Sequence, residues 1–293
     1  MKMGIDLGGT KIEGVVLSSK GIVLAKERVA TPQNYPAILD AIADLVVSLE
    51  RSAGGRASVG LGGPGAESAI NGRMKNSNTQ CINGESLRED LSIRLGKIVR
   101  FANDANCFAL SEAVDGAGAA YNFVFGVILG TGTGGGLVFN KQVLVGANGI
   151  AGEWGHTPMP YLNEGRPCYC GRADCIETYL CGAGLTRSYR NAGGDVLLVP
   201  DIVKRAGAGE VLANTVLDVY CQQLASALAV VINIVDPAAI VLGGGLSNIA
   251  MLYEKVPQYW HDYVFSDRCV TKLLPAKYGD SSGVRGAAWL WGE

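Results

Sequence analysis

The chain has 293 residues, 25 Lys+Arg against 27 Asp+Glu for a formal charge of −2, with 48% hydrophobic and 18% charged residues. That length suits two domains, each able to bury its own core, and the near-neutral balance with no Lys/Arg-rich run argues against a nucleic-acid partner. The longest apolar stretch, 224–242, is broken by Asn233, Asp236 and Pro237, so it reads as a buried helix and a strand, and no membrane partner is expected.

In chain order, residues 3–7, 12–17 and 22–28 read as strands separated by Gly8-Gly9-Thr10-Lys11 and by Ser19-Lys20-Gly21. Ile38, Leu39, Ile42, Leu45, Val46 and Leu49 recur with helical spacing. A strand at 59–61 runs into Gly62-Gly63-Pro64-Gly65. Another at 98–102 ends in a loop at Asn103-Asp104-Ala105-Asn106, and a helix follows through 108–113. Near residue 122 the pattern begins again, with strands at 123–129, 137–139 and 143–145 around a glycine turn, 130–136, and the turn Asn140-Lys141. Both halves place a Gly/Thr turn inside a strand hairpin, which predicts an α/β fold of two similar domains facing each other across a cleft. A helix over 211–235 then leads to a strand at 239–242 and to Gly243-Gly244-Gly245, and a short helix closes the chain near 284–291.

The expected division is a small α/β domain over 1–118, with a C-terminal helix over 283–293 packing back on it, and a large α/β domain over 119–282. Met1-Lys2 runs straight into the first strand with no apolar signal core, so the expected location is the cytoplasm.

Two literal motif matches fail on context. Gly130-x-Gly132-x-x-Gly135 matches a dinucleotide fingerprint, but a strand and a two-residue turn follow it where that fingerprint needs a helix. Gly279-x-Ser281-x-Gly283 matches a nucleophile elbow, yet no His follows to complete a triad. Glycines between strands instead let backbone N–H groups approach an anion closely, and Thr10 and Thr131 add hydroxyl donors. Asp6, ending an apolar strand just before the first turn, is costly to bury unless it serves a cation or a water bound to phosphate. Together these features favour nucleotide binding.

His156, Cys168, Cys170 and Cys175 supply one nitrogen and three sulfurs, the composition of a closed structural zinc site; the plainer alternative is reduced cysteines in an irregular loop. Glu153 and Glu177 bracket that loop and offer two carboxylate acceptors. Asp104, at a strand end, can take a proton from a hydroxyl, although Asn-Asp pairs also make ordinary turns.

Asp6-Leu7-Gly8-Gly9-Thr10-Lys11, Asn103-Asp104-Ala105-Asn106, Leu129-Gly130-Thr131-Gly132, Glu153-Trp154-Gly155-His156, Cys168-Tyr169-Cys170-Gly171 with Cys175-Ile176-Glu177, and Gly243-Gly244-Gly245 resemble, in order, the ROK sugar kinases. The resemblance implies the actin/hexokinase-like ATPase fold, ATP and Mg²⁺, a structural Zn²⁺, and a homodimer. It implies Asp104 as base, with Gly63, Pro64, Asn78, Asn103, Glu153, His156 and Glu177 around the sugar. Asp6, Gly8, Gly9, Thr10, Lys11, Gly130, Thr131 and Gly132 would serve the phosphates, and Gly243, Gly244 and Gly245 the adenosine. Asp174 departs from the glycine that many ROK proteins carry before the third cysteine.

Within the family, the stretches 76–84 and 279–289 look most like bacterial fructokinases, so the expected reaction is transfer to the 6-hydroxyl of fructose, with mannose or glucose secondary. N-acetylglucosamine kinases are the alternative, and Trp154, Asn78 and Asn83 are expected to line the boundary that would exclude an acetamido group. A sugar-responsive regulator would begin with a helix-turn-helix domain, which the early position of Asp6 argues against. A catalytically silent sugar-binding ATPase is the third reading.

Overall fold

The computed structural model describes residues 1–292. Its first half holds β1 (Lys2–Leu7), β2 (Lys11–Leu17), β3 (Val23–Ala30), α1 (Tyr35–Ala53), β4 (Ser58–Gly63), β5 (Ala66–Glu67), β6 (Met74–Lys75), α2 (Leu87–Leu95), β7 (Val99–Asn103) and α3 (Asp104–Val114). Then come β8 (Phe123–Leu129), β9 (Thr133–Phe139), β10 (Gln142–Val143), α4 (Glu177–Leu180), α5 (Gly182–Asn191), α6 (Val199–Gly207) and α7 (Val211–Val235). The chain closes with β11 (Ala239–Gly243), α8 (Met251–Tyr259), β12 (Lys272–Pro275) and α9 (Ser282–Trp289). Two five-stranded sheets run in the orders β3-β2-β1-β4-β7 and β10-β9-β8-β11-β12.

The chain forms two compact units. One takes in Met1–Asn122, Gly136–Ala151 and the stretch from Lys277; the other takes in Phe123–Gly135 and Gly152–Ala276. Residues 136–151 and 277–282 therefore group with the first unit, whereas the expected division put them in the second. Glu293, the end of the expected C-terminal helix, lies outside the described residues.

In the first unit β1, β4 and β7 are parallel, and β2 and β3 extend the sheet antiparallel. α1 forms where the periodicity predicts it. The Asn34 side chain accepts from the Ala37 N–H at its start and Gly54, at φ 77°, ends it. Its apolar stripe of Ile38, Ile42, Leu45, Val46 and Leu49 is fully buried, each such side chain contributing roughly 1.5–3 kcal/mol by its removal from water. On β1 and β4 lies α9, at backbone contact. Gly4 and Gly60 are register partners, and a Cβ on either would stand 1.9 Å from a carbonyl oxygen of α9, that of Val284 or Ala287. A Cβ on Gly286 would meet the Cys107 carbonyl of α3 at 1.7 Å, so alanine at any of these three glycines would push α9 off its bed.

One buried acid fastens this arrangement. The Glu112 carboxylate of α3 accepts from the backbone N–H groups of Ala117 (2.9 Å), Lys277 (3.0 Å) and Tyr278 (3.4 Å) and from the Ser282 hydroxyl (2.7 Å). It thereby anchors the returning chain just before α9 begins.

In the second unit β8, β11 and β12 are parallel. α7 is, among the described helices, the one long and apolar enough to cross a bilayer by length and composition, yet 61% of its apolar window is buried inside the protein. It ends as its sequence dictates, at Asp236 with φ 45° and then Pro237, before β11. Tyr220 on its buried face donates to the Leu180 carbonyl at 2.8 Å, fixing α4.

Candidate active site and metal centre

In the first unit the site residues stand at the carboxyl ends of the three parallel strands. Asp6 pairs in register with Gly62, and Gly63 with Asn103, so Asp6, Gly63 and Asn103-Asp104 come side by side. That is where ligands bind in open α/β sheets. The turn after β1 is closed by the Gly8 N–H to the Lys11 carbonyl (3.0 Å). Thr31 buttresses it, its hydroxyl donating to the Gly8 carbonyl (2.7 Å) and its N–H to the Thr10 carbonyl (3.1 Å). Gly9, Thr10 and Lys11 at the tip are exposed.

Asp104 does not sit in a loop. β7 runs directly into α3, whose cap is the Asn103 side chain accepting from the Asn106 N–H at 2.8 Å, and Asp104 is the first helical residue. Its carboxyl is accessible, yet the protein packed around it raises its pKa; the Ala105 N–H (2.8 Å) and its own N–H pull the other way. Asp6 is affected more strongly. Burial, then the charges of Asp104 and Glu13, push its pKa up to about 6, against a weaker opposing pull from Lys11. Among the described residues no donor hydrogen-bonds the Asp6 carboxyl. Glu13, its register partner across β2, is treated differently: burial opposes its ionisation, but Lys26 (2.8 Å) and Arg28 (2.8 Å through Nε) bind it and its pKa falls. Asp6 is thus an unpartnered carboxyl beside two other acids, a donor set that fits a hydrated Mg²⁺.

Between β6 and α2, Asn78 stands exposed on a loop that Asn83 closes: its amide oxygen accepts from the Ser77 N–H (2.9 Å) and its amide nitrogen donates to the Ser77 carbonyl (2.9 Å). Asn83 is a scaffold residue, not a boundary for ligand. Pro64 follows Gly63 out of β4, and Gly65 needs its φ of 83° because a Cβ there would meet the Lys75 carbonyl at 2.4 Å.

In the second unit β8 ends at the turn Gly130-Thr131-Gly132, and Gly243 at the end of β11 pairs in register with Ile128. Gly244, at φ 80°, lies so close to Leu129 that a Cβ would stand 2.5 Å from its carbonyl oxygen, while Gly245 faces open space. The Glu177 carboxylate accepts from the Thr133 N–H at 3.0 Å. Glu153 is exposed and opens the short turn Trp154–His156. Trp154, expected at the sugar boundary, is 6% exposed; it packs edge-on against Phe125 at 5.6 Å and donates to the Gly134 carbonyl at 3.2 Å. It supports the turn from below.

The ligand atoms of His156, Cys168, Cys170 and Cys175 all lie within 4.8 Å of one another. Cys170 and Cys175 sulfurs are 3.6 Å apart and the Cys168 sulfur is 3.6 Å from His156 Nδ1, close to the roughly 3.8 Å between sulfurs on one tetrahedral Zn²⁺. His156 Nε2 is hydrogen-bonded to the Tyr169 hydroxyl at 2.9 Å, leaving Nδ1 to the cluster. The Arg172 guanidinium draws the Cys170 thiol down to about 6 and burial pushes Cys175 up to about 12. Three thiols and an imidazole converging this closely fit zinc.

Asp174 keeps the left-handed turn that glycine would adopt, at φ 54°. Its side chain compensates: it accepts from the Gly165 N–H (2.9 Å), the Arg166 N–H (2.9 Å) and the Tyr179 hydroxyl (2.6 Å). Sequence reasoning misses this role, and it misses Glu112, whose signal is a lone acid inside the apolar run of α3.

Comparison with known proteins agrees over the whole length. The ROK family model matches residues 2–293. The N-acetyl-D-glucosamine kinase of Photobacterium profundum is 42% identical over 299 residues, covering 99% of each chain. The structure of a ROK hexokinase from Thermus thermophilus superposes with a TM-score of 0.89 at 31% identity, covering 99% of this chain and 97% of that one. A ROK family glucokinase from Streptomyces griseus, solved with glucose and AMPPNP, gives 0.78 at 27% identity, covering 99% and 98%. With strand-end acids, paired glycine turns and the Cys/His loop all in their places along one chain, this protein belongs to the ROK family and has its actin/hexokinase-like α/β fold.

Proposed function

We propose that this chain is an ATP-dependent kinase acting on the 6-hydroxyl of a hexose, with N-acetylglucosamine its preferred acceptor. The observation that carries the reaction is Asp104, an accessible carboxyl of raised pKa at a strand end, in the same unit as the unpartnered Asp6. A carboxylate whose pKa is raised toward neutrality is the better general base. Asp104 takes the proton of the sugar hydroxyl as that oxygen attacks the γ-phosphorus, and the phosphoryl group passes over without a covalent enzyme intermediate.

By the family resemblance, Gly63, Pro64, Asn78, Asn103, Glu153, His156 and Glu177 are the proposed sugar contacts. The turns at 8–11 and 130–132 serve the phosphates through their threonine hydroxyls and through N–H groups other than those of Gly8 and Gly130, which close the turns themselves, and Gly243, Gly244 and Gly245 serve the adenosine. Asp6 would hold a hydrated Mg²⁺, which would supply positive charge against the phosphates. His156, Cys168, Cys170 and Cys175 would hold a zinc ion, whose contribution would be structural, the ordering of their loop, because four protein ligands would leave no position for a reacting water.

Support for the acceptor comes from full-length relatives at 42% identity that are N-acetyl-D-glucosamine kinases. The fructose preference expected from the stretches 76–84 and 279–289 has no comparable support, and two side chains offered for it, Trp154 and Asn83, have structural partners instead. The test is ADP release with N-acetylglucosamine, glucose, mannose and fructose, followed by NMR of the product. We expect kcat/KM for N-acetylglucosamine to exceed that for fructose by at least about tenfold, with phosphate on the 6-oxygen. A fructose optimum would overturn the acceptor and leave the kinase; no ADP release with any sugar would overturn both.

A further inference from the structure

The turn Gly130-Thr131-Gly132 is gripped from the metal loop. Thr133, the residue after it, lies between the two arms of that loop. From one side the Glu177 carboxylate accepts its N–H at 3.0 Å. From the other, Gly155 lies so close that a Cβ there would stand 2.0 Å from the Thr133 carbonyl oxygen. Glu177 is two residues past the ligand Cys175, and Gly155 is the residue before the ligand His156. The Trp154 indole adds a third hold at the Gly134 carbonyl.

The near end of the turn is held by the same segment. Five residues beyond Glu177, the Gly182 N–H donates to the Gly130 carbonyl at 2.8 Å, and the Gly130 N–H donates to the Gly132 carbonyl at 2.9 Å. Residues 177–182 thus bracket the turn by both ends. Gly132 is the glycine this requires, since a Cβ on it would lie 2.6 Å from the Glu177 carboxylate. The arms themselves are tied by the Ile176 N–H to the Thr157 carbonyl (2.9 Å) and by the Met159 N–H to the Asp174 carbonyl (2.7 Å).

We infer that Glu177 is a positioning residue for the nucleotide as well as a sugar contact: it transmits the order of the metal loop to the phosphate turn, so that metal occupancy sets nucleotide affinity. This rests on the kinase reading above. A backbone N–H held by a carboxylate is fixed in direction, and a phosphate turn binds only as well as its N–H groups point. Glutamine keeps an acceptor oxygen for the Thr133 N–H and alanine does not, so the pair of variants separates the hydrogen bond from the charge.

The test is calorimetric titration of MgATP into the zinc-loaded protein, with zinc content measured alongside. Loss of a hydrogen bond to a charged acceptor predicts that Glu177→Ala weakens MgATP by about tenfold, while Glu177→Gln returns it to within about twofold of wild type even as its KM for sugar rises. Chelation of wild type should weaken MgATP to a similar extent, and chelation of Glu177→Ala should add little further. MgATP affinity unaltered in Glu177→Ala, or glutamine as damaging to nucleotide binding as alanine, would overturn the coupling. Failure of the wild-type protein to bind MgATP at all would instead overturn the kinase reading.

Discussion

Replacing Asp6 by asparagine removes a charge that the fold desolvates at a cost and that the proposed reaction uses. In the folded chain its pKa stands at about 6 against an ordinary 3.8, a difference worth about 3 kcal/mol at 1.36 kcal/mol per pKa unit. The sign follows from which form the fold prefers. Below about pH 3 both folded and unfolded chains hold the proton and Asp6 costs nothing; as pH rises from about 3.8 to about 6 the unfolded chain ionises while the folded chain still holds its proton, so stability falls across that window and levels off above it. Asparagine keeps the shape without the charge but leaves an amide to be satisfied, so the net gain expected near pH 8 is about 1–3 kcal/mol, and about two-thirds of the charge penalty behind it is gone near pH 4.5. Urea unfolding of both proteins at the two pH values, without divalent cations, measures it. The same variant should lose MgATP binding, because the carboxyl that repels its neighbours is the one available to Mg²⁺. An Asp6→Asn variant no more stable than wild type near pH 8, or a gain that does not depend on pH, would refute the reasoning.

Asp104→Asn should fold, bind both substrates and lose about 10²–10⁴ in kcat, as measured by steady-state ADP release, because only the proton acceptor is removed. Glu112→Gln turns one acceptor oxygen into a donor facing backbone N–H groups; with two charged hydrogen bonds lost it should cost about 3–6 kcal/mol in urea unfolding. Purified protein should contain one zinc per chain by elemental analysis, and Cys170→Ser should lower that content and expose residues 157–177 to proteolysis.

The strands around the glycine turns are legible in the sequence because their signals are local: period-two apolar runs stop at glycine, and the stops coincide with the turns observed at 8–11 and 130–132. α1 and α7 are legible for the same reason, through long helical periodicity. α2 is not. It buries only Leu87 and Leu91 and shows no apolar stripe, so it exists by packing against the sheet rather than by pattern. The start of α3 reads as a loop although the signal is present: Asn103 is an N-cap, and a cap placed directly after a strand leaves no loop to find. Trp154 misleads for a different reason. A large aromatic beside a binding motif is indistinguishable in sequence from one beneath it, and only the position of Phe125 and the Gly134 carbonyl decides between them.

The acids of the first unit show where sequence reasoning about the site stops. Asp6, Glu13 and Glu112 are each embedded in apolar runs, and in the sequence each looks equally anomalous. What separates them is the number of donors each one meets, and those donors come from elsewhere in the chain. Glu112 meets three backbone N–H groups and a hydroxyl, most of them from residues 277–282, and is therefore a fastener. Glu13 meets Lys26 and Arg28 from the neighbouring strand and is neutralised in place. Asp6 meets none among the described residues, and its neighbours Asp104 and Glu13 are acids. A half-buried carboxyl that no donor hydrogen-bonds, and on which Lys11 exerts only the weakest of the pulls, is well placed to take a cation from outside. The family motif names Asp6, and the physical difference between it and Glu13, seven residues later, lies in the pairing of β2 with β3, which puts Lys26 and Arg28 on Glu13 and leaves Asp6 only the weaker pull of Lys11.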